Sequence, residues 1–85
     1  MNVCVVSTFE GTTEDYMNMF NSTKESAQGF MVDYELGVIR EGKVMLMMNI
    51  TDMNKMQEVM SSEEMKAWDE KFNCVDVIYA LDQMN

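Results

Sequence analysis

The chain has 85 residues, which is enough for one small domain with a single hydrophobic core. Apolar residues make up 47% and charged residues 25%, a composition typical of folded globular proteins. Fifteen acidic residues against six basic ones give a net charge of −9, which disfavours nucleic acid and anionic membranes because both bind basic surfaces. We therefore predict one domain over residues 1–85, with no nucleic-acid or membrane partner.

The sequence contains no histidine, which is the commonest metal ligand and the commonest general base near neutral pH. No apolar run approaches the ~20 residues of a membrane-spanning helix. The first residues lack the pattern of a signal peptide. These absences predict a cytoplasmic protein with no metal and no cofactor, and they argue against an enzyme.

The first half of the chain predicts a strand, a helix and a second strand. Residues 2–9 are rich in β-branched types and apolar on both faces, which is typical of a central strand. Residues 12–29 begin with hydroxyl and acidic side chains and end at a glycine, which indicates a capped helix. Residues 30–39 alternate between apolar and polar types, as expected of a strand at the edge of a sheet.

The second half predicts a strand, an interrupted helix and a last strand. The turn at 40–43 contains a glycine and leads into 43–50, an apolar run that we expect at the centre of the sheet. Residues 51–73 have helical periodicity, but a second capping pattern at 61–64 predicts a break. Residues 74–81 alternate as a strand.

This order of elements predicts an α+β, ferredoxin-like βαββαβ fold. Two crossovers around one hairpin give a four-stranded antiparallel sheet in the order 4-1-3-2. Right-handed crossovers deliver both helices to the same face of the sheet.

The other sheet face, here called the open face, has no covering element within the chain. Several large apolar side chains on it would exceed what a monomer normally exposes, so we predict a homodimer that forms through this face. The residues expected there are the apolar Ile39, Met45, Met47 and Ile78, the polar Asp33, Glu35, Asn49 and Asp76, and also Cys4 and Thr8.

The whole pattern resembles the dimeric α+β barrel proteins, the group that contains the antibiotic-biosynthesis-type monooxygenases. The segment Ser61–Trp68 is similar to the second helical region of that group, and the chain also resembles small uncharacterised ferredoxin-like proteins of marine bacteria. The resemblance implies that two copies pack their open faces together into a barrel with a pocket inside each half.

The resemblance also implies candidate residues. Haem-degrading members use an Asn, a Trp and a His, and Asn2 and Trp68 match the first two, but the missing His excludes that ligand. Cofactor-free oxygenases of the group place Trp, Asn, Tyr and Arg around an aromatic substrate. Trp68, Tyr34, Arg40 and either Asn2 or Asn49 are the matching residues here.

Three functions are compatible with the sequence. The preferred one is a homodimer that binds a small apolar or aromatic molecule between the two sheets, or no ligand at all. The alternative is a cofactor-independent monooxygenase or isomerase. The third is an interaction module that uses an acidic helix face. No catalytic residue is assigned, and the preferred interpretation of Trp68 is a core anchor, with a pocket wall as the alternative. The predicted pocket lining is Tyr34, Met45, Met47, Asn49, Trp68 and Ile78.

Two smaller predictions concern reactive side chains. Cys4 and Cys74 fall at opposite ends of antiparallel neighbouring strands, beyond the ~7 Å limit for a disulfide, so both thiols should be free. Asp33, Glu35 and Asp76 are expected on one sheet face, hydrated at the edges of the sheet. The alternative is a close approach of two of them, which would raise a carboxyl pKa.

Overall fold

The computed structural model describes all residues 1–85 and confirms the α+β ferredoxin-like fold. Its four strands form one antiparallel sheet in the order β2-β3-β1-β4. No helix is both long and apolar enough to cross a membrane. The elements are β1 (Val3–Thr8), α1 (Thr13–Ser26), β2 (Met31–Arg40), β3 (Lys43–Ile50), α2 (Met53–Met60), α3 (Glu63–Phe72) and β4 (Val75–Ala80).

Local capping chemistry determines where the first helix begins and ends. The Thr12 side chain accepts a hydrogen bond from the backbone N–H of Asp15, and the Asp15 carboxylate accepts one from the backbone N–H of Thr12. This reciprocal pair satisfies two N–H groups at the helix start. The helix ends at Ser26, before the predicted Gly29, which instead has a positive φ of 95° in the turn to β2.

The predicted break in the second helical region is confirmed. The chain forms α2 and α3, separated by Ser61 and Ser62, and the Ser62 hydroxyl caps α3 by accepting a hydrogen bond from the N–H of Met65. The cap is one residue later than the capping pattern predicted. Asn73 ends α3 in the left-handed conformation at φ 50°.

The helices cover one face of the sheet, and the core lies between them. Along β3, Val44, Leu46, Met48 and Ile50 are buried, whereas the residues between them are only half-buried. This alternation confirms the face assignment predicted for the central strand. Val44 and Met48 are fully buried, which makes β3 the centre of the core.

The predicted facing of β4 is wrong. β4 pairs with β1 so that Asp76 is opposite Ser7 and Ile78 is opposite Val5. Val5 belongs to the core, and the Ser7 hydroxyl donates a hydrogen bond to Asp76 Oδ1 at 2.6 Å. Asp76 and Ile78 therefore lie on the helix side of the sheet. The open face receives Val75, Val77 and Tyr79, which are opposite Thr8, Val6 and Cys4.

The edge strand β2 contains two irregularities in its register. Between Met31 and Asp33 one extra residue is inserted, so Met31 is opposite the buried Ile50 and lies on the helix side of the sheet. A second shift, at Ile39, precedes the turn to β3. Extra residues of this kind are bulges, which change the facing of a strand locally without ending it.

We predict unequal effects of alanine at two glycines that both have positive φ. A Cβ at Gly42 (φ 82°) would lie 2.7 Å from the Phe9 carbonyl oxygen, whereas a Cβ at Gly29 would meet nothing within 4 Å. Gly29→Ala should cost about 1 kcal/mol from its backbone conformation alone. Gly42→Ala should cost at least about 2 kcal/mol because the neighbouring backbone must also move.

The measurement is the free energy of unfolding in urea for both variants. Gly42 also accepts the hydrogen bond from the Phe9 N–H at 2.8 Å, so displacement there disturbs the junction between β1 and the hairpin. Equal losses in the two variants would contradict the steric argument.

Candidate functional site

A cavity of about 70 Å³ lies between the sheet and the three helices, and we call it the helix-side cavity. Its floor is formed by residues of β1 and β3 and its walls by α1, α2 and α3. Most of its lining is apolar, and methionine is the commonest residue in it, because unbranched thioether side chains fill irregular space and adapt to different shapes. The lining methionines are Met19, Met31, Met48, Met56, Met60 and Met65.

The cavity is elongated and runs along α1. Tyr16, Phe20, Lys24 and Ala27 recur at helical spacing and all line it. At 1.5 Å of rise per residue, Tyr16 and Lys24 are separated by ~12 Å along the helix axis. The two ends of the cavity therefore have different surroundings.

The Tyr16 end of the cavity is polar, and we call it the acidic end; its residues are Ser7, Tyr16, Asp69, Cys74 and Asp76. The carboxylate oxygens of Asp69 and Asp76 and the Cys74 sulfur lie within 4.8 Å of one another. Asp76 Oδ1 accepts hydrogen bonds from the Ser7 hydroxyl and from the Cys74 thiol, the latter at 3.4 Å. Asp69 Oδ1 is buried without a hydrogen-bond partner. The end thus contains one satisfied carboxylate and one with an unused acceptor.

Burial and like charge shift the pKa values of this end in the same direction. Burial raises the pKa of Asp69, and the charge of Asp76 adds to the effect, which the neighbouring Cys74 thiol partly offsets. Burial, followed by the charge of Asp76, also raises the pKa of Cys74, so the thiol stays protonated and is not a thiolate nucleophile. Burial raises the pKa of Tyr16 to about 12, so its hydroxyl is neutral at physiological pH.

Trp68 is both a packing residue and part of the cavity wall. Its ring centroid lies 4.7 Å from that of Phe72, 5.4 Å from that of Phe9 and 6.1 Å from that of Tyr16. Such tilted and edge-on arrangements stabilise aromatic clusters. The two sequence-based interpretations of Trp68 are therefore compatible.

The structure does not bring the predicted pocket residues together. Trp68 lines the helix-side cavity; Met45, Met47 and Asn49 lie on the open face. Tyr34 lies on the helix side, opposite Met48, with its ring 5.1 Å from that of Phe20. Ile78 is also on the helix side, on the edge strand β4.

Two other residues suggested by the resemblance have structural contacts. The Asn2 side chain donates to the carbonyl of Ile50 and accepts from its N–H, at 2.8 and 2.9 Å, which ties the chain's start to the end of β3. Arg40 Nη1 donates to the backbone carbonyl of Glu41. Both side chains therefore make hydrogen bonds to the backbone at the ends of strands.

The predicted acidic face is also divided. Asp33 and Glu35 lie on the open face, opposite Asn49 and Met47, and Asp76 lies on the helix side. The carboxylate that approaches Asp76 is that of Asp69, and neither Asp69 nor Ser7 nor Tyr16 is among the residues predicted from the sequence. Asp69 directly follows Trp68 in α3. Its proximity to Asp76 could be predicted only by placing Asp76 on the helix side of β4.

Both cysteines are free, as predicted. Cys4 is opposite Tyr79 in β4, whereas Cys74 precedes the first paired residue, Val75. The two thiols also lie on different faces of the sheet, since Cys74 lines the helix-side cavity and Cys4 belongs to the open face.

No protein-family model and no curated protein sequence matches this chain. Solved structures do match it over nearly its whole length. A cofactor-independent oxygenase from Streptomyces nogalater, SnoaB, is 13% identical with a TM-score of 0.63, covering 98% of this chain and 95% of that one. An antibiotic biosynthesis monooxygenase is 11% identical with a TM-score of 0.62, covering 98% and 99%.

A third neighbour is a dimeric ferredoxin-like protein of unknown function from Thermobifida fusca. It is 11% identical with a TM-score of 0.51, and the match covers 95% of this chain and 92% of that one. At these identities the likeness establishes the fold. The chain therefore shares the architecture of the group that its sequence resembles, which includes monooxygenases and proteins of unknown function.

We predict that Asp69→Asn stabilises the protein as pH rises. Because the pKa of Asp69 is raised above 3.8 in the folded state, the fold binds its proton more tightly than the unfolded chain does. That contribution is fully present below about pH 4 and is lost as pH rises through the raised pKa. Asparagine stays neutral, so the variant should gain stability over the wild type between pH 4 and pH 7.

Urea unfolding at several pH values measures the effect, with the exposed neighbour Glu70→Gln as the control for net charge. A gain that is independent of pH, or equal in the two variants, would contradict the argument that burial raises the pKa of Asp69.

Proposed function

We propose that the protein binds a small, mostly apolar or aromatic molecule in the helix-side cavity. The observation that supports this is a cavity with an apolar, methionine-rich lining and a few polar groups gathered at one end. Small-molecule sites are commonly built this way, because apolar walls supply affinity and a few polar groups fix orientation. The sequence-based hypothesis placed the ligand between two sheets; the cavity favours a site between sheet and helices.

The size of the cavity limits what it can accept. At about 70 Å³ it has room for a few water molecules. A ligand with more atoms must displace methionine side chains, which rearrange more readily than branched or aromatic ones. We therefore expect slender ligands rather than broad polycyclic ones.

A thermal-shift screen of a metabolite library tests the proposal. A ligand that binds only the folded state stabilises it by about 2.7 kcal/mol at 100 times its Kd, which raises the Tm. Val59→Phe, in the cavity wall on α2, should abolish the shift by filling the cavity. Met53→Phe, on the same helix but 44% exposed, should preserve it.

The proposal fails if no compound raises the Tm of the wild-type protein. It also fails if the ligands that raise the Tm do so equally in Val59→Phe, because they would then bind elsewhere.

We further propose a homodimer that forms through the open face. The exposed fractions of Val75, Val77 and Tyr79 are 64%, 45% and 51%, and Met45 and Met47 lie on the same face. The corrected facing of β4 thus adds apolar side chains to this face. A contiguous apolar area on one sheet face is typical of a protein–protein interface, and the Thermobifida fusca neighbour with this fold is described as dimeric.

Met47→Glu should convert the dimer into a monomer, because a charge would be buried at the centre of the interface. Light scattering after size exclusion measures the mass at micromolar concentration. Met53→Glu introduces the same charge on α2 and should leave the mass unchanged. A wild-type monomer, or a dimer that persists in Met47→Glu, would contradict the interface.

A cofactor-independent monooxygenase or isomerase is the second candidate. It is favoured by the position of Asp69 beside Trp68 and Tyr16, since a carboxylate with a raised pKa is a stronger base toward a phenolic or enolic proton. The neighbour SnoaB is described as a cofactor-independent oxygenase. Oxygen consumption with the ligands found by thermal shift separates an oxygenase from a binding protein.

The free thiols support a location in a reducing compartment, and we propose the cytoplasm.

A further inference from the structure

We propose that the ligand of the helix-side cavity is bipolar: a slender apolar body with a carboxylate at the Lys24 end and a hydrogen-bond donor at the acidic end. The inference rests on the proposed binding function and specifies the chemistry of the ligand. It follows from the different charges at the two ends of one elongated cavity.

The Lys24 end supplies a positive charge. Lys24 is half-buried, lines the cavity on the last turn of α1, and its Nζ lies 5.9 Å from the centroid of the Tyr34 ring. Contact with the ring limits the freedom of the ammonium. A carboxylate entering beside it would gain a charge-assisted hydrogen bond in surroundings that are drier than the open surface.

The middle of the cavity supplies an apolar surface of defined length. Between the two ends, α1 presents Phe20, and the floor presents Leu46 and Met48. The ~12 Å between Tyr16 and Lys24 along the helix is roughly the length of an extended eight-carbon chain with a substituent at each end. Shorter ligands could contact only one end at a time.

The acidic end selects a donor over an acceptor. Asp76 already accepts hydrogen bonds from Ser7 and Cys74, and Asp69 Oδ1 has no partner although it is buried. A buried acceptor without a partner is unfavourable, and a ligand hydroxyl or ammonium would satisfy it. A second carboxylate at this end would instead be repelled by the two already present.

Four eight-carbon probes test the proposal by isothermal titration with the full-length protein. Two are bipolar, 8-hydroxyoctanoate and 8-aminooctanoate; octanoate lacks the donor head and 1,8-octanediol lacks the carboxylate. The better of the two bipolar probes should bind at least ~10-fold more tightly than either control, which corresponds to about 1.4 kcal/mol. The comparison between the two bipolar probes shows whether the head is a hydroxyl or an ammonium.

Two variants test which residue binds each end of the ligand. Lys24→Met keeps much of the side-chain volume and should weaken 8-hydroxyoctanoate at least ~10-fold while leaving 1,8-octanediol unchanged. Asp69→Ala should weaken the bipolar probes and leave octanoate unchanged. Lys66→Met, at an exposed position on α3, is the control for loss of a positive charge, and circular dichroism checks that each variant is folded.

The bipolar ligand is excluded if all four probes bind equally, or if Lys24→Met weakens the diol as much as the acid. The bipolar ligand is also excluded if none of the probes binds although the library yields ligands whose binding Val59→Phe abolishes. In that case the proposed binding function stands and only the bipolar chemistry fails. If the library yields no such ligand either, both proposals fail.

Discussion

The pairing of Ser7 with Asp76 determines how the two faces of this sheet are used. β4 is an edge strand with apolar residues in both of its alternating positions, so packing alone specifies its facing weakly. Ser7 is only 3% exposed, and its 2.6 Å hydrogen bond to Asp76 favours the facing in which Asp76 lies on the helix side of the sheet. A shift of the β4 register by one residue would turn Asp76 toward the open face and would turn Val75, Val77 and Tyr79 toward the helix side.

The same pairing links the cavity to the open face. Burial raises the pKa values of Asp69 and Cys74, and the Asp76 carboxylate on the helix side raises them further. Because Val77 and Tyr79 are on the other side, the open face becomes more apolar. One strand therefore supplies polar chemistry to the interior and apolar area to the exterior, and the two properties cannot be changed independently by altering its register.

Local patterns in the sequence were sufficient for most of the fold. Apolar alternation predicted the buried face of β3, and capping residues located the break between α2 and α3. The order of the elements predicted the sheet topology. Facing at the edges was harder to predict. The bulge after Met31 and the ambiguous alternation of β4 depend on contacts with distant strands, which period-two patterns do not contain.

The candidate site was less predictable than the fold for the same reason. Asp69 lies in an acidic stretch of α3 that is typical of a solvated surface, and Ser7 lies in an otherwise apolar strand. Their proximity to Asp76 requires the pairing of β1 with β4 and the docking of α3 at once. The sequence contains twelve methionines, but only the packing shows that half of them surround one cavity.

The break at Ser61 and Ser62 has a consequence for how that cavity can change its volume. Two of its three wall helices are short, and of these α2 contains no buried residue, whereas α3 contains the buried Met65. Displacing α2 outward therefore uncovers only half-buried side chains, which are Met56, Val59 and Met60, and breaks no hydrogen bond within a continuous helix. The weakly anchored α2 is the compliant side of the cavity, and the sheet and α1 are its rigid side.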